Sequence, residues 1–468
     1  MNVRAVLVYA SGIGAGALIS LITLPALAWM FSAEDVGRVA LFQLSLSLIV
    51  VFFSLGLDQS YVRNFNEVSD TAVLAKNCML PGFFLLLVVI AISSLFSGRI
   101  MLYLFDIDSY ALFFIFLFSA IILYMERFFS VFIRMKELSF AYSMTRVVPK
   151  LLFLVLVMVF LVFPDGKSFT LLAGMQCISW LAVVLIMIFF LKRKFAFSAS
   201  NAQGRKSTEE LLYFGFPLML SGIAFWGLNY IDRIMLKELS SLSQLGIYAM
   251  ASTLAGAAIL FQQIFTTMWH PLIYRWASEG VAETKITGLS AAIQLFSLVF
   301  ICLAALCSFM VSYILPKEYV LVQYMLPACL IPPLYLMMTE VSGVGISISK
   351  KTKFLPVITA ICMATNIILN NYLIPYFGAG GAAAAAAMSF FTYLILKTEM
   401  SNYVWVPFSN SKFYIFSIVV VFLSVVSSLW GEEFKAQLCA TWLVIMVFCI
   451  LGYSSQVKKL FIFVRGYL

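Results

Sequence analysis

Long runs of apolar residues dominate this chain and leave few folds open to it. The segments Leu151 to Phe163 and Leu171 to Leu191 are apolar on every side. About 20 such residues cross a bilayer as a helix, whereas an outer-membrane barrel shows short segments of alternating polarity. These runs predict an all-α polytopic membrane protein.

The composition agrees with this fold class. Of the 468 residues, 63% are hydrophobic and only 11% are charged, against about a quarter charged in an average soluble domain. A soluble enzyme, a secreted disulfide scaffold, a disordered protein and a single-span receptor are therefore excluded. The formal charge of +9 is explained by membrane topology, so we expect no nucleic-acid partner.

Apolar windows between charged or turn-forming breaks predict fourteen transmembrane helices. They cover approximately residues 6–30, 39–57, 78–97, 110–133, 147–163, 169–191, 211–231, 244–269, 286–315, 320–348, 354–375, 380–398, 413–430 and 437–455. With these spans, 23 of the 30 Lys and Arg residues fall on one side of the membrane and 7 on the other. The positive-inside rule then places both termini in the cytoplasm.

The chain divides into two related halves. The longest polar stretch, residues 192–210, follows span six and predicts a cytoplasmic linker between six-helix lobes at 1–191 and 211–400. Residues 401–468 would add two accessory helices and a cytoplasmic tail.

A short internal sequence repeat supports this division. Aligning Gly37 with Gly246 also pairs Ser32 with Ser241. Because an even number of spans separates the two segments, the lobes would be related by a pseudo-two-fold axis along the membrane normal.

The sequence contains no pattern typical of catalysis or of cofactor binding. It has no ATP-binding loop, and its eight cysteines lie in apolar runs without a CxxC pair. We expect no enzyme activity, no metal site and no cofactor, with the cysteines serving as small core residues. The glycine-rich segments at residues 11–17 and 378–382 are expected to let helices approach closely.

Charges at membrane depth are costly and therefore indicate function. Glu340 lies ten residues before Lys350 in span ten, close to the midplane. It is expected either to couple transport to protons or to maintain a cavity; alternatively, it pairs with a neighbouring helix or is protonated and simply packed. Upstream, Pro332 and Pro333 are expected to interrupt the helix.

A second group of charges lies around spans four and five. Glu126 and Arg127 are in the inner half of span four, where Arg134 follows on the same face, and Arg146 and Lys150 begin span five. Guanidinium groups match phosphate oxygens in bidentate fashion. These cations predict a site for an anionic headgroup, although positive-inside anchoring alone explains all except Arg127.

Two polar stripes complete the candidate substrate cavity. Trp226, Asn229 and Tyr230 share one face of span seven, which suits either sugar binding or an interfacial aromatic belt. Asn366 and Asn370 share one face of span eleven, as a cavity wall or as interhelical hydrogen bonds.

Two pairs of motifs resemble a known family. They are Phe31-Ser-Ala-Glu-Asp-Val-Gly-Arg-Val-Ala-Leu-Phe42 with Leu55-Gly-Leu-Asp-Gln-Ser-Tyr-Val-Arg63, and Asn229-Tyr-Ile-Asp-Arg-Ile-Met-Leu236 with Gln244-Leu-Gly-Ile-Tyr-Ala249. They are similar to the openings of the two lobes of Wzx-type polysaccharide transporters, in the superfamily of multidrug, oligosaccharidyl-lipid and polysaccharide exporters. By family position, Asp58, Arg63, Asp232 and Arg233 are motif residues.

The resemblance implies two lobes around a central cavity and alternating access. The implied substrate is an undecaprenyl-diphosphate-linked oligosaccharide, flipped across the bacterial inner membrane for O-antigen, lipopolysaccharide, capsule or exopolysaccharide synthesis. It also implies coupling to H⁺ or Na⁺ and cooperation with a glycan polymerase and a chain-length regulator.

Three alternatives remain open at this point. A cation-coupled multidrug exporter should show a compact acidic cluster inside one lobe. A lipid II flippase should place several arginines within the first lobe, where only Arg127 qualifies. A polytopic glycan polymerase or ligase should show one large outer loop, and every outer loop here is short.

Overall fold

The computed structural model describes residues 3–68, 70–160, 168–192, 207–279, 282–405 and 411–465, which are helical almost throughout. Residues 193–206 of the predicted linker and residues 466–468 of the predicted tail lie outside this description. No strand occurs in the described ranges. The predicted all-α fold class is confirmed.

The chain separates into two compact units, Met1–Gly227 (unit 1) and Leu228–Leu468 (unit 2). Unit 1 contains α1 (Val3–Met30), α2 (Ala33–Phe53), α3 (Leu57–Asn64), α4 (Thr71–Ser93), α5 (Ser97–Phe105), α6 (Tyr110–Met135), α7 (Ser139–Phe160) and α8 (Phe169–Lys192). The division falls inside α9 (Thr208–Leu239), so this helix belongs to both units.

Unit 2 continues with the remaining helices. They are α10 (Leu242–Ala255), α11 (Ala257–Ser278), α12 (Ala282–Cys307), α13 (Val311–Ile314), α14 (Val322–Ser342), α15 (Gly345–Ile348), α16 (Phe354–Val404), α17 (Ser411–Trp430) and α18 (Lys435–Arg465). In the apolar segment of α14 that is long enough to cross a membrane, 78% of the residues are buried. This helix therefore lies at the centre of unit 2.

The observed helices agree with the predicted spans. Among the described residues, eleven helices are long and apolar enough to cross a membrane, and the α10–α11 pair, bent by 42°, makes twelve. The other two predicted spans correspond to α1 and to the second segment of α16.

Helix α16 is 51 residues long because it contains two spans that meet at Gly378. That residue has φ 51°, which suits glycine. A Cβ added to Gly381 would lie 2.5 Å from the carbonyl oxygen of Leu373, so the chain reverses here. The expected close approach at this glycine-rich segment is confirmed.

The expectation for Pro332 and Pro333 was wrong. Helix α14 runs without a break from Val322 to Ser342 through both prolines. Membrane helices tolerate proline because neighbouring groups satisfy the freed carbonyls. The cysteine prediction also needs correction, since Cys307 and Cys439 are exposed while the other six are buried.

The two copies of the internal sequence repeat also share their helix capping. Ser32 and Ser241 are the N-caps of α2 and α10, and each side chain accepts a hydrogen bond from the backbone N–H three residues later. In the first copy, Arg38 also donates to the Phe105 carbonyl oxygen (2.9 Å) and to Asp35 (2.9 Å). Both copies thus begin a helix in the same way.

Buried hydrogen bonds hold the last two helices, α17 and α18, against the rest of unit 2. The Gln294 side chain of α12 is fully buried and donates to the Phe413 carbonyl oxygen (2.7 Å) and to Ser417 Oγ (3.2 Å). The Tyr335 hydroxyl of α14 donates to the Ser417 carbonyl oxygen at 2.8 Å. The Tyr453 hydroxyl of α18 donates to Gln294 Oε1. An unmade buried hydrogen bond is costly, so α17 and α18 stabilise this unit.

In unit 1, α1 and α7 pack with their backbones close together. A Cβ on Gly12 would lie 2.6 Å from Ser143 Cβ, and a Cβ on Gly16 would lie 2.8 Å from the Arg146 carbonyl oxygen. The expected close approach at residues 11–17 is confirmed.

We predict that Gly16→Ala destabilises the protein while Gly14→Ala does not. The added methyl group at position 16 meets main chain that cannot easily move, which costs about 1–3 kcal/mol, whereas position 14 has nothing within 4 Å. Thermal unfolding of the purified variants measures the difference. Equal unfolding temperatures would contradict the packing.

Candidate functional site

An ion pair joins α3 to α6 in unit 1. Arg127 donates from Nε (3.0 Å) and from Nη2 (2.6 Å) to Oδ2 of Asp58. Asp58 is only 2% exposed, whereas 46% of the Arg127 side-chain surface is exposed. Within the described residues, Nη1 of Arg127 has no hydrogen-bonding partner. The guanidinium is therefore anchored on one side and open on the other.

A tight backbone turn places Asp58. Leu55 (φ 51°) and Gly56 (φ 67°) separate α2 from α3, and a Cβ on Gly56 would come within 2.0 Å of the Gly215 carbonyl oxygen in α9. Only glycine fits this position, both for its φ and for the contact. Asp58 then lies in the first turn of α3 and points its carboxylate toward α6.

Other residues of the same motif fasten α3 to the first part of α9. Ser60 Oγ donates to the Leu211 carbonyl oxygen at 2.8 Å. The Arg63 guanidinium lies 4.4 Å above the ring of Phe214, a cation–π contact. The motif therefore holds unit 1 together at the place where Arg127 is anchored.

Three of the other predicted residues lie in the same electrostatic environment. Glu126 interacts electrostatically with both Arg146 and Arg127. Arg146 donates to the Tyr142 hydroxyl at 3.2 Å, and Lys150 Nζ donates to the Gly16 carbonyl oxygen at 3.1 Å. These contacts tie the cations of α7 to α6 and α1.

Arg134 differs from the other cations. It is exposed in the last turn of α6, two helical turns beyond Arg127. This is the place expected for an arginine that anchors the helix at the membrane surface.

Unit 2 contains a buried carboxylate that is held by neutral hydrogen-bond donors and interacts electrostatically with Arg233. Asp232 on α9 accepts hydrogen bonds from the Tyr248 hydroxyl (2.9 Å) and from Asn370 Nδ2 (2.6 Å). Asn370 Nδ2 also donates to Asn366 Oδ1 at 2.9 Å, and both asparagines are fully buried. Among the described residues, no Lys or Arg forms an ion pair with Asp232, and Asn370 Oδ1 has no hydrogen-bonding partner.

These contacts show how the α16 stripe is held, and its part in a cavity wall stays a prediction. Asn370 makes an interhelical hydrogen bond to Asp232 of α9, whereas its bond to Asn366 lies within α16. The Asp232 cluster, defined as Asp232, Tyr248, Asn366 and Asn370, also joins two residues of the second family motif, Asp232 and Tyr248.

The predicted aromatic face of α9 divides between the two units. Trp226, in unit 1, donates from Nε1 to Ser47 Oγ at 2.9 Å. In unit 2, the Arg233 guanidinium lies 5.1 Å above the Tyr230 ring, and Asn229 is half-buried. Their part in a substrate cavity stays a prediction.

Glu340 pairs with a neighbouring helix. Its Oε1 lies 3.1 Å from Lys397 Nζ, and the side chains are 23% and 11% exposed. Lys397 also donates to Thr339 Oγ1 at 3.3 Å, and the Trp269 indole donates to the Glu340 carbonyl oxygen at 2.8 Å. This ion pair joins α14 to α16 near the end of each helix.

Sequence reasoning found the deep charges but missed most of their partners. Lys397 lies at the end of the predicted span 380–398 and was not singled out, and Asp58 was named only as a motif residue. A signal for the Asp58–Arg127 pair was available, since Asp58 directly follows the inner end of the predicted span 39–57 and Arg127 lies in the inner half of the span 110–133. Nothing in the sequence pointed from Asp232 to Tyr248 except their place in one motif.

We predict that Arg127→Ala destabilises the protein and that adding Asp58→Asn restores much of the loss. Removing the cation leaves a buried carboxylate unpaired, at a cost of about 3–5 kcal/mol. Adding Asp58→Asn removes that charge as well. Thermal unfolding of the wild type, both single variants and the double variant measures the coupling.

The exposed pair Arg275–Glu279 (2.8 Å) serves as the control. Exposed ion pairs contribute about 0–1 kcal/mol, so its coupling should be small. A coupling for Asp58 and Arg127 as small as that of the control would show that the buried pair is not a structural unit.

The fold matches solved structures of membrane transporters. The lipid II flippase MurJ, in an inward closed conformation, gives a TM-score of 0.70 at 13% identity, covering 97% of this chain and 100% of that chain. An inward-facing multidrug resistance transporter of the MATE family in the MOP superfamily gives 0.57 at 14% identity, covering 83% and 94%. A variant of the Vibrio cholerae MATE transporter VcmN gives 0.58 at 13% identity, covering 88% and 97%.

These identities establish the fold alone. A search of curated protein sequences found no match. A family described as polysaccharide biosynthesis proteins matches residues 3–277, which is more than half of the 468-residue chain and includes both pairs of motifs. The chain belongs to this family of polysaccharide biosynthesis proteins and has the fold of the MurJ and MATE transporters.

Proposed function

We propose that this protein is a flippase for undecaprenyl-diphosphate-linked oligosaccharide repeat units. It would move them from the inner to the outer leaflet of the bacterial inner membrane, for O-antigen, capsule or exopolysaccharide synthesis. A glycan polymerase and a chain-length regulator would act on the product. Membership of the polysaccharide biosynthesis family and the transporter fold support this proposal.

The main observation behind the proposal is that the guanidinium of Arg127 is held in place and yet partly exposed. A diphosphate needs a cation that is fixed in direction yet accessible. Arg127 is held by Asp58 through Nε and Nη2, while nearly half of its side chain is exposed. Arginine is suited to phosphate because its planar group donates several parallel hydrogen bonds. Arg146 and Lys150 add positive charge from α7, and we assign Arg134 to anchoring.

The same geometry disfavours the two closest alternatives. Among the described residues, no group of three or more His, Cys, Asp and Glu side chains is placed so that it could hold a metal ion, whereas a multidrug exporter is expected to show a compact acidic cluster. A lipid II flippase would be expected to place several arginines at depth in the first lobe, and Arg127 is the arginine that does so here.

For coupling to H⁺ or Na⁺, the Asp232 cluster is the better candidate than Glu340. The charge of Glu340 is already compensated by Lys397, so this residue is assigned to maintaining the α14–α16 packing. Asp232 is buried, accepts hydrogen bonds from neutral groups and forms no ion pair among the described residues, although Arg233 beside it interacts electrostatically. A carboxylate removed from water is stabilised when it binds a proton or a cation, and amide oxygens are suitable additional ligands for Na⁺.

The division into two units supports a mechanism of alternating access. Each unit has its own polar contacts, the Asp58–Arg127 pair in one and the Asp232 cluster in the other. Rocking of rigid lobes is a common mode of transport in folds with repeated halves. Binding of the diphosphate and of the coupling ion would bias this motion.

Deletion of the gene tests the proposed function. We predict that the deletion strain loses its surface glycan and accumulates undecaprenyl-diphosphate-linked repeat units, measured by mass spectrometry of the extracted lipids. Wild-type protein and Arg134→Ala should restore the glycan. Arg127→Ala should restore less than about a tenth of it, since losing one charged hydrogen-bond donor costs about 1.5–3 kcal/mol. An Arg127→Ala variant that restores full assembly at normal protein level would refute the role of this residue, and a deletion strain without accumulated intermediates would refute the function.

The coupling site is tested in proteoliposomes with imposed H⁺ or Na⁺ gradients. We predict that wild-type flipping responds to one of the two gradients and that Asp232→Asn removes the response. The matched control is the double variant Glu340→Leu, Lys397→Met, because removing both charges of a buried pair together is often nearly neutral. Loss of the response in this control, or its retention in Asp232→Asn, would contradict the assignment.

A further inference from the structure

A cavity of about 420 Å³ lies in unit 2 where α9 meets α10 and where α16 turns at Gly378. Its size is within the range of about 300–1,000 Å³ that is typical of ligand sites. The polar and aromatic part of its wall comes from Ser240, Gln244, Tyr376, Phe377 and Ser428. None of these residues belongs to the Asp58–Arg127 pair or to the Asp232 cluster.

The backbone around this cavity is rigidly held. Gln244 Oε1 accepts a hydrogen bond from the Ala379 N–H at 2.9 Å, and Ser428 Oγ donates to the Gly380 carbonyl oxygen at 2.8 Å. A Cβ on Gly378 would lie 2.5 Å from Gln244 Oε1. These contacts connect α10, the α16 turn and α17, so the cavity is preformed, which lowers the entropic cost of binding.

The chemistry of the wall selects a neutral, polar ligand. None of the described residues that line it carries a charge, so it offers no partner for a diphosphate. The hydroxyls of Ser240 and Tyr376 and the Nε2 group of Gln244 provide hydrogen-bond donors. The Tyr376 side chain is 82% exposed, and Phe377 packs edge-on against Trp430 with ring centroids 5.5 Å apart.

We propose that this cavity binds the neutral saccharide part of the transported molecule, with Tyr376 as the aromatic platform. Sugars present hydroxyls around a ring with apolar C–H faces, and hydroxyls, an amide and an exposed aromatic ring complement both features. An isoprenoid tail would leave these polar groups unsatisfied. With the orientation that the charge distribution predicts, this end of unit 2 faces outward, where the oligosaccharide leaves. The inference rests on the proposed function and adds a sugar site distinct from the diphosphate site.

Saturation-transfer NMR on the full-length protein in nanodiscs tests the proposal. The probe is a mixture of neutral oligosaccharides, prepared by partial acid hydrolysis of the surface polysaccharide of the source strain. Wild-type protein should transfer saturation to the sugar ring protons. Tyr376→Ala should reduce the signal at least fivefold, and Tyr376→Phe, which keeps the ring, should reduce it less.

Tyr372→Ala is the matched control, because Tyr372 lies one helical turn earlier on α16, is 68% exposed and does not line the cavity. Its signal should equal that of the wild type. Equal signals for Tyr376→Ala and Tyr372→Ala would overturn the site. The absence of any transfer to wild-type protein, or recovery of a bound lipid chain whose retention depends on Tyr376, would also overturn it. These outcomes are independent of lipid-linked intermediates in the deletion strain, so this proposal fails separately from the proposed function.

Discussion

A charged side chain inside an apolar helical bundle must be compensated, because an uncompensated charge away from water costs several kcal/mol. Three deep carboxylates in this protein meet that requirement in three ways. Asp58 pairs with an arginine that stays half exposed. Glu340 pairs with a lysine that is nearly covered. Among the described residues, the hydrogen-bond donors to Asp232 are neutral, and Arg233 beside it interacts only electrostatically. The difference gives each carboxylate a different chemical capacity.

These three environments correspond to three different proposed roles. An ion pair in which both side chains are largely covered, as for Glu340 and Lys397, joins two helices. A pair whose cation is open on one side, as for Asp58 and Arg127, presents a fixed positive group to an anionic ligand. A buried carboxylate among amide and hydroxyl groups is suited to binding and releasing a proton or a small cation. Diphosphate recognition and ion coupling are thereby assigned to different units of the chain.

Much of the fold was predictable because the bilayer imposes it. A span of about 20 apolar residues has one way to satisfy its backbone, so the fourteen predicted spans all correspond to helices. The effect of Pro332 and Pro333 was not predictable, since tertiary packing around α14 overrides the local preference. For the candidate site, the sequence predicted individual residues but not the contacts between them. Arg127, Asn366 and Asn370 were identified from depth and spacing, but their partners Asp58 and Asp232 come from distant helices, and one sequence carries no record of those contacts.

Direct binding of undecaprenyl diphosphate to the purified protein tests the central claim, that Asp58 holds Arg127 as the diphosphate ligand. The measurement is the dissociation constant of the radiolabelled lipid for the wild type, Arg127→Ala and Arg134→Ala in nanodiscs. We predict binding at least about tenfold weaker for Arg127→Ala, which corresponds to about 1.4 kcal/mol, and unchanged binding for Arg134→Ala. Equal affinity of the wild type and a folded Arg127→Ala variant would contradict the central claim.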